Sequence, residues 1–354
     1  MSFRFAVFLT FASLALSVSA QYFRLVSQWP DPAPGSYDVA GTNLSDGRLI
    51  LWNGFDVFIQ NEPGGGFFWP VASGYQGDPG FIAMAPDGYT ALLGAGFSPK
   101  VYLLDTRAPV DYVSDSEIVT PNHFSGAFLN QDLVVLDRGL DDFSASELVV
   151  VDLSARKSAG AWKSVLTFSA PLPEKSTVLE KPAWSFSSRV HVDAATSILY
   201  VMDANARELR AFDVADVIVA FNNATLLDWA TDGTLIGTIG SYFSGGVGGV
   251  TPEGNLVIGG SEGFLQPGGI QIVDPSDGSI VEVLDPAGTQ GFYSVIYNSV
   301  LNEIVAVAEG ETFATEEAIG KLPVGSVATW LGAAAVLLLA FVCLRRADAW
   351  KRER

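Results

Sequence analysis

Cysteine is almost missing from this chain of 354 residues: the single one, Cys343, lies inside an uncharged apolar run. No disulfide can form within the chain, so its stability must come from core burial, for which about 300 residues are ample. Histidine is nearly as scarce. His123 and His191 are the two present, too few for a His-rich metal site. Neither a Gly-x-Ser-x-Gly elbow, a His-Glu-x-x-His pair, a phosphate-cradling Walker loop nor a Cys-x-x-Cys pair occurs, which removes the serine-elbow, zincin, P-loop and thiol-redox templates. No long helical period appears between residues 21 and 310.

Basic residues are also few, 20 against 39 acidic ones, and they cluster at the ends. Residues 21–320 carry 13 basic and 37 acidic side chains, a net charge of −24. Such a body repels nucleic acid and anionic headgroups and attracts cations or cationic partners.

The two ends carry targeting patterns. Residues 1–20 hold Arg4, an apolar run and the small-residue sequence Val18-Ser19-Ala20, the pattern of a cleaved secretory signal. Residues 322–344 contain no charge and are followed by Arg345, Arg346, Lys351, Arg352 and Arg354. A run of that length spans a bilayer as a helix, with its basic flank on the cytoplasmic side. The expected organisation is therefore a signal peptide (1–20), an extracytoplasmic body (21–315), a linker (316–321), a single-pass transmembrane helix (322–344) and a basic cytoplasmic tail (345–354). Asn43 and Asn223 begin glycosylation sequons, and Cys343 sits where acylation is chemically open.

What fills the body is strand. Short Val/Ile/Leu/Phe/Tyr runs are punctuated by 36 Gly and 18 Pro, the composition of turn-bounded strands. The order repeats. Residues 80–115 read as strand A (GFIAMA), a Pro-Asp-Gly turn, strand B (YTALLGAG), a loop, strand C (KVYLLDT) and strand D (VDYVSD). The same grammar begins at Tyr37, Phe124, Arg189, Gly245 and Phe292, with starts 43, 44, 65, 56 and 47 residues apart. Four-strand repeats of about 40–50 residues specify a β-propeller. The expected fold is all-β, a β-propeller of six blades with seven as the alternative count, plus the C-terminal helix. Residues 170–184 are placed as a loop insertion. Residues 22–28 (YFRLVSQ) have no A–B pair before them and are placed as strand D of the last blade, closing the ring.

The segments ILYVMDANARELRAFDV (198–214) and LVIGGSEG through GGIQIVDPSDGSIVEVLDP (256–286) resemble blades of the senescence-marker-protein/gluconolactonase and NHL/YVTN-type propellers. The Pro-containing start, apolar helix and basic tail of 322–354 loosely resemble bacterial exosortase-type sorting signals; a plain single-pass anchor is the other reading.

In a propeller the B–C and D–A loops surround one mouth of the central channel. Here they would bring Asn53, Asp137, Arg138, Asp141, Asp142, Asp203, Asn205, Glu262 and Glu309 together with Asp78, Asn122, His123 and Arg189. Carboxylates and amides converging on a rim suit a hard cation such as Ca²⁺, which takes about 6–8 oxygen ligands. The resemblance to lactonase-type propellers implies one divalent metal there, with Asp203 in the matching position. Asp203, Asp141, Glu262 and Glu309 are the candidate ligands. The primary expectation is a membrane-anchored binding module for an extracytoplasmic protein or small molecule, with no nucleic-acid partner; the alternative is a divalent-metal-dependent, lactonase-like hydrolase.

Overall fold

The computed structural model describes residues 23–28, 39–66, 68–73, 78–96, 101–107, 124–139, 145–154, 165–167, 176–182, 188–203, 207–238, 246–261, 268–284, 292–308 and 311–315. All belong to the first of two compact units, 1–316 and 317–354. The signal, the linker, the 322–344 segment and the tail lie outside the described residues, among which no helix is long and apolar enough to cross a membrane.

The strands form six four-stranded antiparallel sheets. The first strand, β1 (Phe23–Gln28), belongs to the last blade. Blade 1 is β2 (Ala40–Asn43), β3 (Leu49–Trp52), β4 (Val57–Gln60) and β5 (Phe68–Ala72). Blade 2 starts with β6 (Pro79–Met84), β7 (Thr90–Ala95) and β8 (Val101–Asp105), and blade 3 with β9 (Ser125–Phe128), β10 (Leu133–Gly139) and β11 (Ala145–Asp152). The next two strands, β12 (Val165–Thr167) and β13 (Ser176–Pro182), finish blades 2 and 3 respectively. Blade 4 is β14 (Ser188–Asp193), β15 (Ile198–Asp203), β16 (Glu208–Asp213) and β17 (Thr234–Thr238), with the helix α1 (Val214–Asn223) inserted before β17. Blade 5 is β18 (Gly246–Val250), β19 (Leu256–Ser261), β20 (Gly268–Val273) and β21 (Ile280–Leu284). Blade 6 is β22 (Ser294–Asn298), β23 (Glu303–Ala308), β24 (Glu311–Thr315) and β1.

The first strands pack side by side in the closed order β2, β6, β9, β14, β18, β22 and back to β2. The fold is a six-bladed β-propeller. Its burial follows from the two-residue strand period. On β3, Ile50 and Trp52 pack into a core shared with blade 2, whereas Leu49 and Leu51 pack into one shared with blade 6. Both faces of β3 are covered, which is why LILW is an unbroken apolar run. Each side chain so buried contributes roughly 1.5–3 kcal/mol. Trp52 meets Tyr102 of blade 2 edge-on, with ring centroids 6.1 Å apart.

The A–B turns are as expected: Gly47, Gly88 and Gly254 have φ of +87°, +76° and +88°, a region glycine enters without strain. Ring closure also matches, since β1 pairs antiparallel with β24 as the outer strand of blade 6.

Three expectations need correction. The insertion 170–184 is not all loop, because β13 pairs with β11 within it. The fourth position of blade 2 is taken by β12, which returns from beyond blade 3 to pair with β8; residues 110–115, expected there, lie outside the described residues. A helix also occurs where none was expected. Asp213 caps α1 by accepting from the Ala215 amide at 2.7 Å, and Val214, Val217 and Ala220 bury its inner face. Asp232 and Gly233 end the connection containing α1, just before β17.

Candidate functional site: the central channel

The six first strands enclose a cavity of about 510 Å³. Its wall is built from strands whose side chains alternate between the two neighbouring blades. On β14, Val190 and Val192 pack toward blade 3. The same period puts Arg189, His191 and Asp193 on the other face, and all three line the cavity. Arg189 has its Cβ and Cγ against Gly246 of blade 5, and its guanidinium lies 6.0 Å from the ring centroid of Phe124 in blade 3. His191 is desolvated by the strands around it, which pushes its imidazole down to about 4 against the opposing pull of Asp193. At neutral pH it is an uncharged ring with one donor and one acceptor nitrogen.

The glycines of β18 (GVGGV) explain how this wall closes. A Cβ on Gly248 would sit 2.5 Å from the Val295 carbonyl oxygen of blade 6. One on Gly249 would sit 2.8 Å from Tyr297 Cβ, and one on Gly246 2.5 Å from Arg189 Cβ. Blade 5 therefore approaches both neighbours with bare backbone. The run cradles no phosphate; it permits close packing.

Two hydroxyls stitch adjacent blades at the entrance. Ser125, first on β9, accepts from the Val190 amide of blade 4 at 2.8 Å. Ser294, first on β22, accepts from the Gly41 amide of blade 1 at 3.2 Å. The sequence reading passed over both. Their signal is an aromatic residue followed by serine at the same strand start, Phe124-Ser125 and Tyr293-Ser294.

The described mouth residues fall as follows. Asp203 ends β15, is 4% exposed and pairs in register with Ser188 at the start of β14. Asp137, 1% exposed, stands opposite Ser125 on β10. These two carboxylates reach the same end of adjacent blades, one strand back from the channel wall. Arg138 follows on β10, opposite Glu147. Asn53 is 3% exposed and accepts from the Phe55 and Asp56 amides, so it closes its own B–C turn. The Asp78 carbonyl accepts from the Gly96 amide at 2.7 Å. Asp141, Asp142, Asn205, Glu262, Glu309, Asn122 and His123 lie outside the described residues. Among the described residues no group of three or more His, Cys, Asp or Glu is arranged to hold a metal.

Much of the described acid sits at the opposite face, in the A–B and C–D turns. Asp87 accepts from the Tyr89 and Thr90 amides and from Gln131 of blade 3. Burial alone would raise its carboxyl, but those hydrogen bonds outweigh it and hold the group below 3.8. Asp46, Asp193, Asp228, Asp274 and Asp277 brace their own turns in the same manner. Two described cations of that face are engaged by acids. Arg48 pairs with Asp46 at 2.8 Å, and Arg107 pairs with Asp105 at 2.6 Å while lying over the Tyr89 ring.

The chain matches no protein-family model and no curated protein. Its shape is shared by solved propellers. The Cps50 (Swd1) β-propeller domain of Myceliophteria thermophila superposes with a TM-score of 0.52 at 11% identity, over 83% of this chain and 99% of that one. A structural-genomics protein of unknown function from Bacteroides thetaiotaomicron superposes with a TM-score of 0.50 at 11% identity, over 83% of this chain and 75% of that one. A chain of a nidogen/laminin complex gives 0.48 at 11%, over 74% and 84%. At such identity the likeness is one of fold alone.

Proposed function

We propose that residues 21–315 form an extracytoplasmic binding module, held to a membrane by the segment 322–344, that engages a partner protein through its outer wall. The blade grammar of 198–214 and 256–286 sets it, in this reading, beside the senescence-marker-protein/gluconolactonase and NHL/YVTN-type propellers. The observation that carries the binding role is where large apolar side chains stay in solvent. Among the described residues, six of the ten such side chains belong to outermost strands: Leu25 (49% exposed) on β1, Trp69 (58%) on β5, Leu235 (52%) on β17, and Ile280, Val281 and Val283 on β21. Apolar side chains placed on a rigid outer wall serve association better than solubility. Anchoring and export rest on the uncharged run, its basic flank and the N-terminal signal pattern.

Two measurements test this reading on the full chain in its native membrane. Protease added to intact cells is expected to digest the body and leave a short tail fragment; a protected body overturns the topology. A photoreactive amino acid at Trp69 or at Leu235 is expected to give discrete adducts, and one at the channel residue Thr42 none. Adducts from Thr42 alone, or from no position, overturn the outer-wall binding role.

A further inference from the structure

Three outer strands meet the C–D connection of the next blade along the ring. The helix α1, in the C–D connection of blade 4, packs on β13 of blade 3. The C–D turn of blade 5 presses on β17 of blade 4, where a Cβ on Gly278 would sit 2.2 Å from the Ile236 carbonyl. The C–D turn of blade 1 presses on β1 of blade 6, where a Cβ on Gly66 would sit 2.8 Å from the Val26 carbonyl. Among the described residues blade 6 has no C–D turn to lay on blade 5, because β24 and β1 are not consecutive in the chain. The strand that such a turn would reach is β21.

The exposure of β21 agrees. Ile280, Val281 and Val283 are 48%, 58% and 65% exposed on the outermost strand of blade 5. The strand holds neither proline nor lysine, and its edge is guarded only by Glu282 and a bulge at Val281 against β20. By contrast β5, also outermost and apolar, carries Pro70, which cannot donate to an added strand.

We propose that β21 is the docking edge for an extended basic segment of a partner protein, which adds to blade 5 as a further strand. The inference rests on the binding-module reading and names its partner class. Main-chain pairing would supply affinity and side-chain alternation the specificity. Charge selects the occupant. Glu282 is the one charged residue of β21, and Asp274 and Asp277 stand at its foot in the turn. A second copy of this chain would bring another body of net charge −24 to the same place, whereas a strand alternating basic and apolar residues meets both the acids and the valines.

The test uses the purified body and a short fluorescein-labelled peptide of alternating Lys and Val. Saturable binding is expected, with slowed amide exchange at 280–284. The double variant Val281→Lys/Val283→Lys is expected to weaken binding at least ~10-fold. The charge-matched variant Leu226→Lys/Val300→Lys, at exposed sites in other blades, should change it by no more than about threefold. An alternating Glu-Val peptide should not bind. Equal losses in the two double variants, binding without protection of 280–284, or self-association that the peptide dissolves each overturn the proposal. Such a failure with rim adducts retained at Trp69 would leave the binding-module reading standing.

Discussion

The Val190 amide of blade 4 donates to the Ser125 hydroxyl of blade 3 at 2.8 Å, across a blade boundary and beside the channel. Ser125 is 4% exposed, so removing the hydroxyl strands a buried donor. The substitution Ser125→Ala is expected to cost about 1–3 kcal/mol in urea melts. Ser125→Thr, which keeps the oxygen, should recover part of the loss. An unchanged melt for the alanine variant would show that water replaces the hydroxyl.

His191 makes stability depend on pH. Its folded value of about 4 lies below the ordinary 6.5, so between these values the unfolded chain binds the proton more tightly. Stability is therefore lost as pH falls through this window and levels off below it. Going from pH 7 to pH 5, this group alone accounts for a loss of about 2 kcal/mol. Urea melts at the two pH values should show it, and His191→Gln should remove most of it. A variant with the same pH dependence as the parent would assign the effect elsewhere.

The glycines of β18 should differ sharply from a nearby one. A Cβ on Gly248 meets a backbone oxygen at 2.5 Å, whereas one on Gly269 meets nothing closer than 3.7 Å. Gly248→Ala is expected to lower stability by about 1–3 kcal/mol. Gly269→Ala should be nearly neutral. Thermal unfolding of the pair decides this, and similar melts would mean that blades 5 and 6 can move apart freely.

Removing β1 should open blade 6. Residues 23–28 pair with β24 and complete its sheet. Without them β24 becomes an open edge. The truncated body is expected to aggregate on size-exclusion chromatography, and a synthetic peptide covering 21–28 should restore monomer when added in excess. Monomeric behaviour without the peptide would make β1 dispensable.

What could be read from the sequence follows from which strands are covered on both faces. β3, β7 and β8 are fully buried and carry the apolar runs LILW, ALLGA and VYLL, and their flanking glycine turns give the repeat its period. The outer strands face solvent on one side, so their pattern is weak. β12 is three residues long and pairs with a blade already passed in the chain. No local pattern announces that return. The helix α1 is ten residues long and follows Asp213, which reads equally well as a strand end. The expected acidic mouth was legible only as a count of acids. Aspartates that brace turns and aspartates that end buried strands are the same letters, and only the fold separates Asp87 and Asp228 from Asp203.

The pairing of β1 with β24 also sets a timetable. The first strand of the body to be made is the last to find its place, since its partner is completed some 290 residues later. Blade 2 waits in a smaller way, because β12 follows all three inner strands of blade 3. A chain leaving the ribosome can stack its middle blades early, but its ring stays open until β24 has been made. During that interval the unpaired β1 must be kept from foreign edges, and the final joining step, rather than the stacking of blades, should limit the rate of folding.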